Sequence, residues 1–337
     1  MNRPMRETFL GVDIGATKTV VALCTSEGEV KNPLRVDRPE GEEARWILES
    51  ILHRIEEIRR TSPEEWREVR RCGVGFGGPV RDNRPVRSVH VPGWEEIDLA
   101  AEIERRFGLP TRMKNDCLVQ ALGEFAYGAG KGRRSMVFIN LGSGVGGGIV
   151  LEGRLLEGDG YAGHFGHVCV VPGGRLCPCG NRGCLEAYCS GRSIGARARE
   201  AAAAGGAESR TLAGRISQLD PHAGAAPALF ELARAGDPLS RRLVDETLDR
   251  LALALSAGLN VLDVRTYVIG GGAGLGLASW LGDLREGVAE KSMWLCREGL
   301  EILPAKLGEH SLLLGTTALW EEGAGRHEPS ETNRPVR

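Results

Sequence analysis

The sequence has no long apolar run and no excess of charge of either sign, and both absences restrict its function. No window of about 18 residues is uninterruptedly apolar, so we expect no transmembrane helix. The N-terminal segment lacks the apolar core of a signal peptide, which favours a cytoplasmic location. Because 43 basic residues are balanced by 45 acidic ones, the chain lacks the basic surface of a general nucleic-acid-binding protein. We therefore expect neither a membrane nor a nucleic acid as a partner.

The nine cysteines are irregularly spaced, and none forms the C-x-x-C pair of a redox site. A reducing cytosol also disfavours a disulfide framework. Six cysteines lie among apolar or helical neighbours in the sequence, and we interpret them as buried, unreactive thiols. These six are Cys24, Cys72, Cys117, Cys169, Cys189 and Cys296.

The other three cysteines and one histidine form a pattern typical of a metal site. The three thiols lie within eight residues, and the histidine lies ten residues before the first of them. Three thiolates and one imidazole complete a tetrahedral Zn²⁺ shell with no position open for water, which indicates a structural site. An iron–sulfur cluster would need a fourth cysteine, for which Cys169 and Cys189 are poorly spaced. The predicted zinc ligands are His167, Cys177, Cys179 and Cys184.

At 337 residues the chain is longer than one hydrophobic core usually covers, so two domains are expected. The segments that begin at Thr8 and Ser135 share one pattern: an apolar run, a glycine-rich turn and a second apolar run. Each pattern predicts a β-hairpin, and its recurrence predicts two homologous halves. Helical patterns follow at residues 42–60 and from 237 to an end near Gly258, so the predicted fold class is α/β.

Three glycine-rich turns follow strand-like segments. The first is DIGATKT (Asp13–Thr19), whose backbone N–H groups, hydroxyls and lysine could bind a phosphate. Its aspartate is a candidate Mg²⁺ ligand. It lacks the spacing of a Walker A loop, and taken alone an ordinary tight turn explains it equally well. The second turn (Asn140–Gly148) includes Ser143, and the third (Ile269–Gly274) lets backbone approach a flat ligand. In this order they match the sugar kinase, actin and Hsp70 superfamily, with two phosphate hairpins and an adenosine loop.

The dipeptide Asn115-Asp116 stands at a predicted strand-to-helix junction. A kinase that acts on an alcohol needs a carboxylate to accept the hydroxyl proton and to orient the oxygen. Asp116 is the candidate for that carboxylate, and Asn115 is a candidate to hold neighbouring hydroxyls. The alternative is that both are ordinary helix N-caps, and the residues alone favour that alternative.

Taken in order, the motifs resemble the ROK family of bacterial sugar kinases and repressors over about residues 8–322. They are DIGATKT, GVGFGGPV, VPGW, ND before ALGEF, GAGKG, NLGSGVGGGIV, GYAGHFGHV, CPCGNRGCLE and VIGGG. The resemblance implies two actin-like (ribonuclease H-like) α/β domains with a nucleotide and sugar cleft between them. It implies a small domain at 1–117 and a larger one, with the zinc motif, at 118–322. A C-terminal helix at about 310–322 is expected to pack back on the small domain, before a disordered polar tail at 323–337.

The resemblance also assigns roles to residues and implies ATP, Mg²⁺ and structural Zn²⁺ as cofactors. Asp116 is the implied catalytic base, and His167 is implied to have one ring nitrogen on zinc and the other toward the sugar. The implied sugar contacts are Gly78, His90, Asn115, Asp116, His164, His167 and Glu186. The implied nucleotide contacts are Asp13, Gly15, Ala16, Thr17, Lys18, Thr19, Gly142, Ser143, Gly144, Gly271 and Gly272. A homodimer is also implied, because dimers are common in the family.

Three positions depart from the family pattern, and two of them are sugar contacts. His164 stands where AGE-x-GH has a glutamate, and a neutral imidazole offers one donor and one acceptor where a carboxylate only accepts. His90 stands where N-x-PGW has an asparagine. Gly77 replaces a common proline, which is expected to loosen the turn before Gly78. We expect an altered sugar or a sugar derivative as substrate; the alternative is neutral drift in a functional glucokinase.

The predicted function is ATP-dependent phosphorylation of a hexose or hexose derivative, glucokinase-like and at the C6 hydroxyl. A repressor of the same family carries a helix-turn-helix domain before the first hairpin, and the eight residues before Phe9 leave no room for one. A sugar-binding regulatory protein with weak or lost kinase activity is the second alternative, motivated by His164 and His90. The sequence leaves open the sugar, the hydroxyl attacked and whether the donor is ATP or polyphosphate.

Overall fold

The chain folds around two five-stranded β-sheets. The computed structural model describes residues 7–15, 17–88, 91–220 and 223–320. The strands in these ranges are β1 (Thr8–Ile14), β2 (Lys18–Thr25), β3 (Val30–Asp37), β4 (Val69–Phe76), β5 (Val80–Arg81), β6 (Arg84–Pro85), β7 (Thr111–Asn115), β8 (Met136–Leu141), β9 (Val145–Leu151), β10 (Arg154–Leu155), β11 (Thr266–Gly270) and β12 (Glu301–Pro304). The helices are α1 (Ala44–Thr61), α2 (Pro63–Arg67), α3 (Leu99–Phe107), α4 (Asp116–Ala126), α5 (Glu186–Cys189), α6 (Gly191–Ala203), α7 (Arg210–Ile216), α8 (Ala226–Arg234), α9 (Pro238–Leu262), α10 (Gly271–Gly276), α11 (Leu281–Lys291) and α12 (Ser311–Ala318). Short 3₁₀ turns lie at Trp94–Glu96, Phe165–His167, Ala278–Trp280, Trp294–Cys296 and Gly308–His310.

Both large sheets have the same topology. The first has the strand order β3-β2-β1-β4-β7 and the second β10-β9-β8-β11-β12. In each, the leading strand forms an antiparallel hairpin with the next one and pairs in parallel with a later strand, β1 with β4 and β8 with β11. The repeated sequence pattern therefore corresponds to a repeated topology, as predicted.

Helix α1 covers the first sheet with one apolar face. Ile47, Ile51, Ile55 and Ile58 recur every three or four residues, and all four are buried. They belong to one apolar cluster with the side chains of β1 and β4. This packing fixes the parallel strands, whose carboxyl ends carry the first group of predicted site residues.

Helix α9 packs in the hydrophobic core of the second sheet and is longer than predicted. The expected end near Gly258 is wrong, because the helix spans Pro238–Leu262 and stops at Asp263, which adopts a left-handed conformation (φ 50°). A Cβ on Gly258 would lie 2.9 Å from the Phe165 ring and 3.1 Å from the Tyr267 hydroxyl. This glycine therefore permits close packing of the helix and does not terminate it.

Helices α4 and α12 cross and connect the two sheets. Helix α12 packs on α4, β1 and β4, and α4 packs on β8 and β9 of the second sheet. At the crossing, a Cβ on Gly315 would lie 1.8 Å from the Val119 carbonyl oxygen, and one on Gly123 would lie 1.9 Å from that of Ser311. Every residue of α12 is buried, as expected of a helix with protein on all sides.

A buried carboxylate fixes the same crossing. Glu124 of α4 is fully buried and accepts hydrogen bonds from the backbone N–H groups of Ala129 (2.9 Å), Lys306 (3.0 Å) and Leu307 (2.8 Å). A buried charge needs such donors to replace its lost hydration. The carboxylate therefore ties the loop that leads into α12 to helix α4.

One of the six cysteines predicted to be buried is exposed. The thiols of the other five are buried, whereas Cys169 is exposed. Cys169 lies in a short surface loop and pairs with Cys184 only through an isolated β-bridge. Its apolar neighbours in the sequence therefore did not indicate a core position.

Some predictions fall on residues outside the described ranges. These are the polar tail at 323–337 and the site residues Ala16 and His90. Within the described ranges, no helix is long and apolar enough to cross a membrane.

Candidate active site

Asp116 begins α4 directly after β7, at the carboxyl end of the first sheet. Its Oδ1 accepts a hydrogen bond from the Cys117 N–H at 2.8 Å, and Asn115 Oδ1 accepts from the same N–H at 3.0 Å. The Asn115 amide donates to the Gly78 carbonyl oxygen at 3.1 Å. Burial raises the pKa of Asp116, and the hydrogen bond from Cys117 opposes that rise. The N-cap of α4 is Asn115, and Asp116 is the first residue of the helix.

A second carboxylate interacts with Asp116. Asp13, near the end of β1, pairs with Gly75 of β4. Burial raises the pKa of Asp13 to about 7, the charge of Asp116 adds to this effect, and Lys18 opposes it. Carboxylate oxygens are preferred Mg²⁺ ligands, and a cation would relieve the repulsion between the two groups. The donor set therefore fits Mg²⁺.

The first glycine hairpin connects β1 to β2. The Gly15 N–H donates to the Lys18 carbonyl oxygen at 2.9 Å, which closes a tight turn. Thr17 is exposed and Lys18 is half-buried, so both are accessible to a ligand. Thr19 is only 4% exposed, and its side chain therefore offers little surface to a nucleotide.

The second glycine hairpin is in contact with Glu186. The Gly142 N–H donates to the Gly144 carbonyl oxygen at 3.0 Å, and Ser143 is exposed at the turn. Glu186 Oε2 accepts a hydrogen bond from the Val145 N–H at 2.8 Å. A Cβ on Gly144 would lie 2.7 Å from that oxygen. Glycine at 144 therefore allows a predicted sugar contact to approach a predicted phosphate loop.

The third glycine loop lies next to the second. Gly271 adopts a left-handed conformation (φ 79°), and a Cβ there would lie 2.3 Å from a side-chain oxygen of β8. Gly272 is exposed and has nothing within 4 Å of its Cβ position. The Gly191 N–H, in the first turn of α6, donates to the Gly142 carbonyl oxygen at 2.8 Å. The motif reading missed this helix N-terminus, which Ser190 indicates as an N-cap directly after the cysteine motif.

Cys117 connects the carboxylate pair to the second hairpin. The Asn140 amide, at the end of β8, donates to the Cys117 sulfur at 3.8 Å. A Cβ on Gly146 would lie 2.4 Å from the same sulfur. Asp116 and the second glycine hairpin are therefore neighbours, although they come from different sheets.

The four predicted zinc ligands converge between β10 and α5. The ligand atoms of His167, Cys177, Cys179 and Cys184 all lie within 4.8 Å of one another. The distance from Cys177 Sγ to His167 Nδ1 is 3.8 Å, and that between the sulfurs of Cys179 and Cys184 is 3.7 Å. A tetrahedron with Zn–S bonds of about 2.3 Å has edges of roughly 3.8 Å, so this donor set fits Zn²⁺.

Glycines shape the turn that carries the thiols. The Cys177 N–H donates to the Asn181 carbonyl oxygen at 2.8 Å. Gly180 and Gly183 have φ values of 94° and 84°, and a Cβ on Gly183 would lie 1.9 Å from the Val171 carbonyl oxygen. The alternation of cysteine and glycine in CPCGNRGC thus meets backbone requirements as well as ligand spacing.

His164 lies next to the predicted zinc ligand His167. The two rings stack with centroids 6.1 Å apart and an interplanar angle of 21°. The His164 Nδ1 lies 2.8 Å from the Tyr161 carbonyl oxygen. Both histidines are exposed, so their rings are accessible to a ligand in the cleft.

The turn before Gly78 is held by hydrogen bonds. The Gly77 N–H donates to the Ile14 carbonyl oxygen at 2.9 Å, and the Gly78 N–H donates to that of Phe76 at 2.8 Å. A proline at position 77 could not make the first bond. The turn is therefore tied to β1, contrary to the loosening expected from this substitution.

The sequence profile of the ROK family matches residues 9–323. The chain belongs to the ROK family. It is 32% identical to a glucokinase of Thermotoga maritima over 322 residues, which cover 94% of this chain and 98% of that protein. It is 30% identical to an N-acetylmannosamine kinase of Citrobacter koseri over 285 residues, which cover 84% of this chain and 89% of that protein. Sugar kinases are thus similar to this ROK chain over most of their length, and the prediction of a sugar kinase is confirmed.

Solved ROK structures have the same fold. A ROK family glucokinase from Streptomyces griseus, in complex with glucose and AMPPNP, gives a TM-score of 0.76 at 30% identity and covers 93% of this chain and 98% of that one. A ROK family transcriptional regulator, a homologue of the E. coli MLC protein, gives 0.82 at 24% identity and covers 94% of this chain and 79% of that one. The second likeness concerns the fold alone. The predicted actin-like α/β fold is confirmed.

Sequence reasoning on this ROK chain missed residues around the loop at 157–164. Arg81 donates a hydrogen bond to the Tyr161 hydroxyl at 3.0 Å. Lys114 forms an ion pair with Glu157. The motif GYAGH contains Tyr161 and could have drawn attention to it, but nothing in the sequence indicates that residues 80 or 43 positions apart are in contact.

Proposed function

We propose that this chain transfers the γ-phosphoryl group of ATP to the C6 hydroxyl of a hexose or hexose derivative, with Mg²⁺. The observation that carries the proposal is the arrangement of three glycine loops around the interacting carboxylates Asp13 and Asp116. Kinases among its relatives, and a structure that contains glucose and AMPPNP, support this assignment.

Asp116 acts as the general base. Burial raises the pKa of Asp116, and a carboxylate with a raised pKa is a stronger proton acceptor. Asn115 is fixed by its bond to the Gly78 carbonyl oxygen and orients a hydroxyl beside the base. Together these groups hold the attacking oxygen in line with the phosphoryl group.

The nucleotide lies against the hairpin at 13–19, the hairpin at 140–148 and the loop at 269–274. Backbone N–H groups of the hairpins and the Lys18 ammonium bind phosphate oxygens, and the exposed Gly272 faces the adenosine. Asp13 would hold Mg²⁺, which would supply charge neutralisation on the transferred group.

The zinc ligands would position two sugar contacts. His167 is in the ligand set, and Glu186 follows the last thiolate by two residues. Zn²⁺ bound by His167, Cys177, Cys179 and Cys184 would stabilise the fold of this loop without taking part in the reaction. Glu186 is held at the second hairpin by its bond to Val145, so sugar and phosphate are bound side by side.

The sugar differs from glucose at a contact made by His164. An imidazole in place of a carboxylate changes the hydrogen-bond pattern at this point, and His90, outside the described residues, changes a second contact. The N-acetylmannosamine kinase among the relatives makes an N-acetylated hexose a specific candidate.

Sugar-stimulated ADP release tests the proposal directly. We would assay the full chain with ATP or polyphosphate against glucose, mannose, N-acetylglucosamine and N-acetylmannosamine, and locate the phosphate on the product by NMR. We expect turnover with ATP and one hexose or derivative, phosphorylated at C6. Absence of sugar-stimulated turnover throughout would overturn the kinase assignment and favour the regulatory alternative. In the same assay, His164→Glu should improve the use of glucose.

A homodimer is also proposed. Met293, Trp294 and Leu295 are exposed, and the Met293 N–H donates to Asn260 Oδ1 at 2.9 Å, which brings them next to the exposed Val261. Such a group of large apolar side chains is typical of an interface between subunits. Light scattering should give twice the mass of one chain, and Trp294→Glu should reduce that mass toward the monomer. A monomeric wild-type protein would contradict the proposal.

A further inference from the structure

The loop at 157–164 follows the second sheet and contacts β7 of the first sheet and β5 of the two-stranded β5–β6 sheet. Arg81, on β5, donates a hydrogen bond to the Tyr161 hydroxyl at 3.0 Å, and its guanidinium carbon lies 5.3 Å from the centre of the Tyr161 ring. Lys114, on β7, forms an ion pair with Glu157. A Cβ on Gly160 would lie 3.6 Å from the Val80 carbonyl oxygen. Two side-chain contacts, with the Gly160 backbone close to Val80, therefore hold this loop against β5 and β7.

The loop ends at His164 and determines which nitrogen of that ring carries a proton. His164 Nδ1 lies 2.8 Å from the Tyr161 carbonyl oxygen, and a carbonyl oxygen can only accept. Nδ1 is therefore the protonated nitrogen of the neutral ring, and Nε2 has a free lone pair. The Tyr161 ring also packs edge-on against His164, with centroids 6.3 Å apart.

A neutral His164 in this tautomer is an acceptor, as the glutamate of the family pattern is. It differs from a carboxylate in offering one lone pair in a fixed direction instead of two oxygens. The ring direction is set by Tyr161 on one side and by the stacked ring of His167 on the other. A contact of this kind depends on the position of Tyr161, and that position depends on Arg81.

We propose that Arg81 is a positioning residue for the sugar, acting across the cleft through Tyr161 to direct His164 Nε2 as a single acceptor for one sugar hydroxyl. This inference rests on the proposed function, because it places the sugar at His164. Arg81 makes its contact with Tyr161 because β5 lies against the loop. Arg81 makes no contact with the nucleotide loops among the described hydrogen bonds and ion pairs, so its effect should be confined to the sugar.

Steady-state kinetics of Arg81 and Tyr161 variants provide the first test. Loss of one charge-assisted hydrogen bond and one cation–π contact in Arg81→Ala should raise KM for the sugar about tenfold. We expect kcat and KM for ATP to stay near wild-type values, Arg81→Lys to recover part of the loss, and Tyr161→Phe to show an intermediate effect. The matched control is Arg84→Ala in the adjacent strand, whose side chain is exposed and pairs with Asp98, 3.4 Å away. An unchanged sugar KM in Arg81→Ala, or an equal change in Arg84→Ala, would overturn the inference.

The tautomer provides a test that needs no activity. The chain has seven histidines, and ¹⁵N-histidine spectra of the full chain can be assigned to His164 with the variant His164→Gln. We expect a protonated Nδ1 and an unprotonated Nε2 at neutral pH, and a weakened preference in Arg81→Ala. A protonated Nε2 in the wild type would refute the acceptor role. If no sugar in the panel is phosphorylated, the proposed function fails, whereas an active enzyme with a normal Arg81→Ala variant or the other tautomer fails this inference alone.

Discussion

At the scale of single residues, the same side chain can cap a helix or perform chemistry, and its surroundings decide between them. Asn115 and Asp116 both accept a hydrogen bond from the Cys117 N–H. From the sequence alone, the two residues are equivalent N-cap candidates. Asn115 has the capping position, and Asp116 interacts with Asp13 and lies beside the second hairpin. Substitutions that retain the cap but remove the charge therefore separate the two roles.

Asp116→Asn should lower kcat by about 10²–10⁴, the usual contribution of a general base, and leave the binding of sugar and ATP nearly unchanged. The asparagine oxygen can still accept the hydrogen bond from the Cys117 N–H. Because burial raises the pKa of Asp116, loss of its charge should leave the free energy of unfolding at neutral pH unchanged or raise it. The control is Asp98→Asn, since Asp98 caps α3 by accepting from the Ala101 N–H at 3.0 Å. Kinetics and calorimetry on both variants provide the measurement. Wild-type turnover in Asp116→Asn would show that the base is another residue.

Asp13 should make the stability depend on pH. Its folded-state pKa of about 7 lies above its ordinary value of 3.8, so between these values the folded protein binds a proton that the unfolded chain does not. Stability should therefore fall as pH rises from about 4 to about 7. The Asp13→Asn variant has no carboxylate to ionise. Its free energy of unfolding at pH 8 should therefore exceed that of wild type by up to about 4 kcal/mol, since each pH unit between the two pKa values corresponds to about 1.4 kcal/mol.

Urea unfolding at pH 4 and pH 8 measures this difference. The gap between Asp13→Asn and wild type should be large at pH 8 and close to zero at pH 4. Added Mg²⁺ should narrow the gap at pH 8, because the cation stabilises the ionised wild-type carboxylate. An equal difference in unfolding free energy at both pH values would mean that the charge of Asp13 does not destabilise the folded protein.

At the scale of elements, the cysteine loop is a turn with almost no regular structure of its own. It has two isolated β-bridges, Cys169 with Cys184 and Leu176 with Arg182, and short segments of this kind seldom keep one conformation without a cross-link. Zinc provides that cross-link if the four donor atoms bind it. The loop then holds His167 and Glu186 in place, so loss of metal and loss of sugar affinity should occur together.

Cys179→Ser should lose zinc, and its affinity for the sugar should fall by at least about tenfold, the usual range for a disturbed metal shell. Binding of ATP should be retained, since no nucleotide loop includes the ligands. Cys169→Ser is the matched control, because Cys169 is an exposed thiol in the same loop but outside the ligand set. Elemental analysis and calorimetry report metal and sugar separately. Full zinc content in Cys179→Ser would refute the ligand assignment.

At the scale of the whole molecule, two similar halves are joined where α12 returns from the second sheet to the first. Gly315 and Gly123 let the backbones of α12 and α4 approach closely, and Glu124 holds the entering loop. Since α4 also begins with Asp116, the crossing that joins the halves also supports the candidate base. A change at the crossing should therefore weaken the whole fold.

Gly315→Ala should lower the free energy of unfolding by about 1–3 kcal/mol or more, because its methyl group would overlap the Val119 carbonyl oxygen. Gly282→Ala, inside α11, has nothing within 4 Å of its Cβ position and serves as the control. It should be neutral or more stable by about 0.5–1 kcal/mol, the helix preference of alanine over glycine. Urea unfolding compares the two. Equal stabilities would show that the crossing adjusts to a side chain.

Much of the fold could be predicted because it depends on local pattern. The isoleucines of α1 recur on one face, the two glycine hairpins have one order of apolar and glycine residues, and the cysteine spacing sets the ligand type. The predicted end of α9 was wrong for a physical reason. A glycine in the sequence can end a helix or let a helix pack closely, as Gly258 does against Phe165, and the sequence does not distinguish the two. The prediction that Cys169 is buried was wrong because burial depends on what packs over a segment. The neighbours of a residue in the chain do not specify that packing.

The sequence by itself determined the family and the class of reaction, and it supplied the candidate residues of the site, since these depend on which residue types occur and at what spacing. Only the tertiary structure decided which of them meet. Three interactions join residues from 41 to 103 positions apart. They are the electrostatic interaction of Asp13 with Asp116, the hydrogen bond between Glu186 and Val145, and the hydrogen bond between Arg81 and Tyr161. Contacts over such distances are set by how the sheets and helices pack, and a single sequence contains no local signal of that packing.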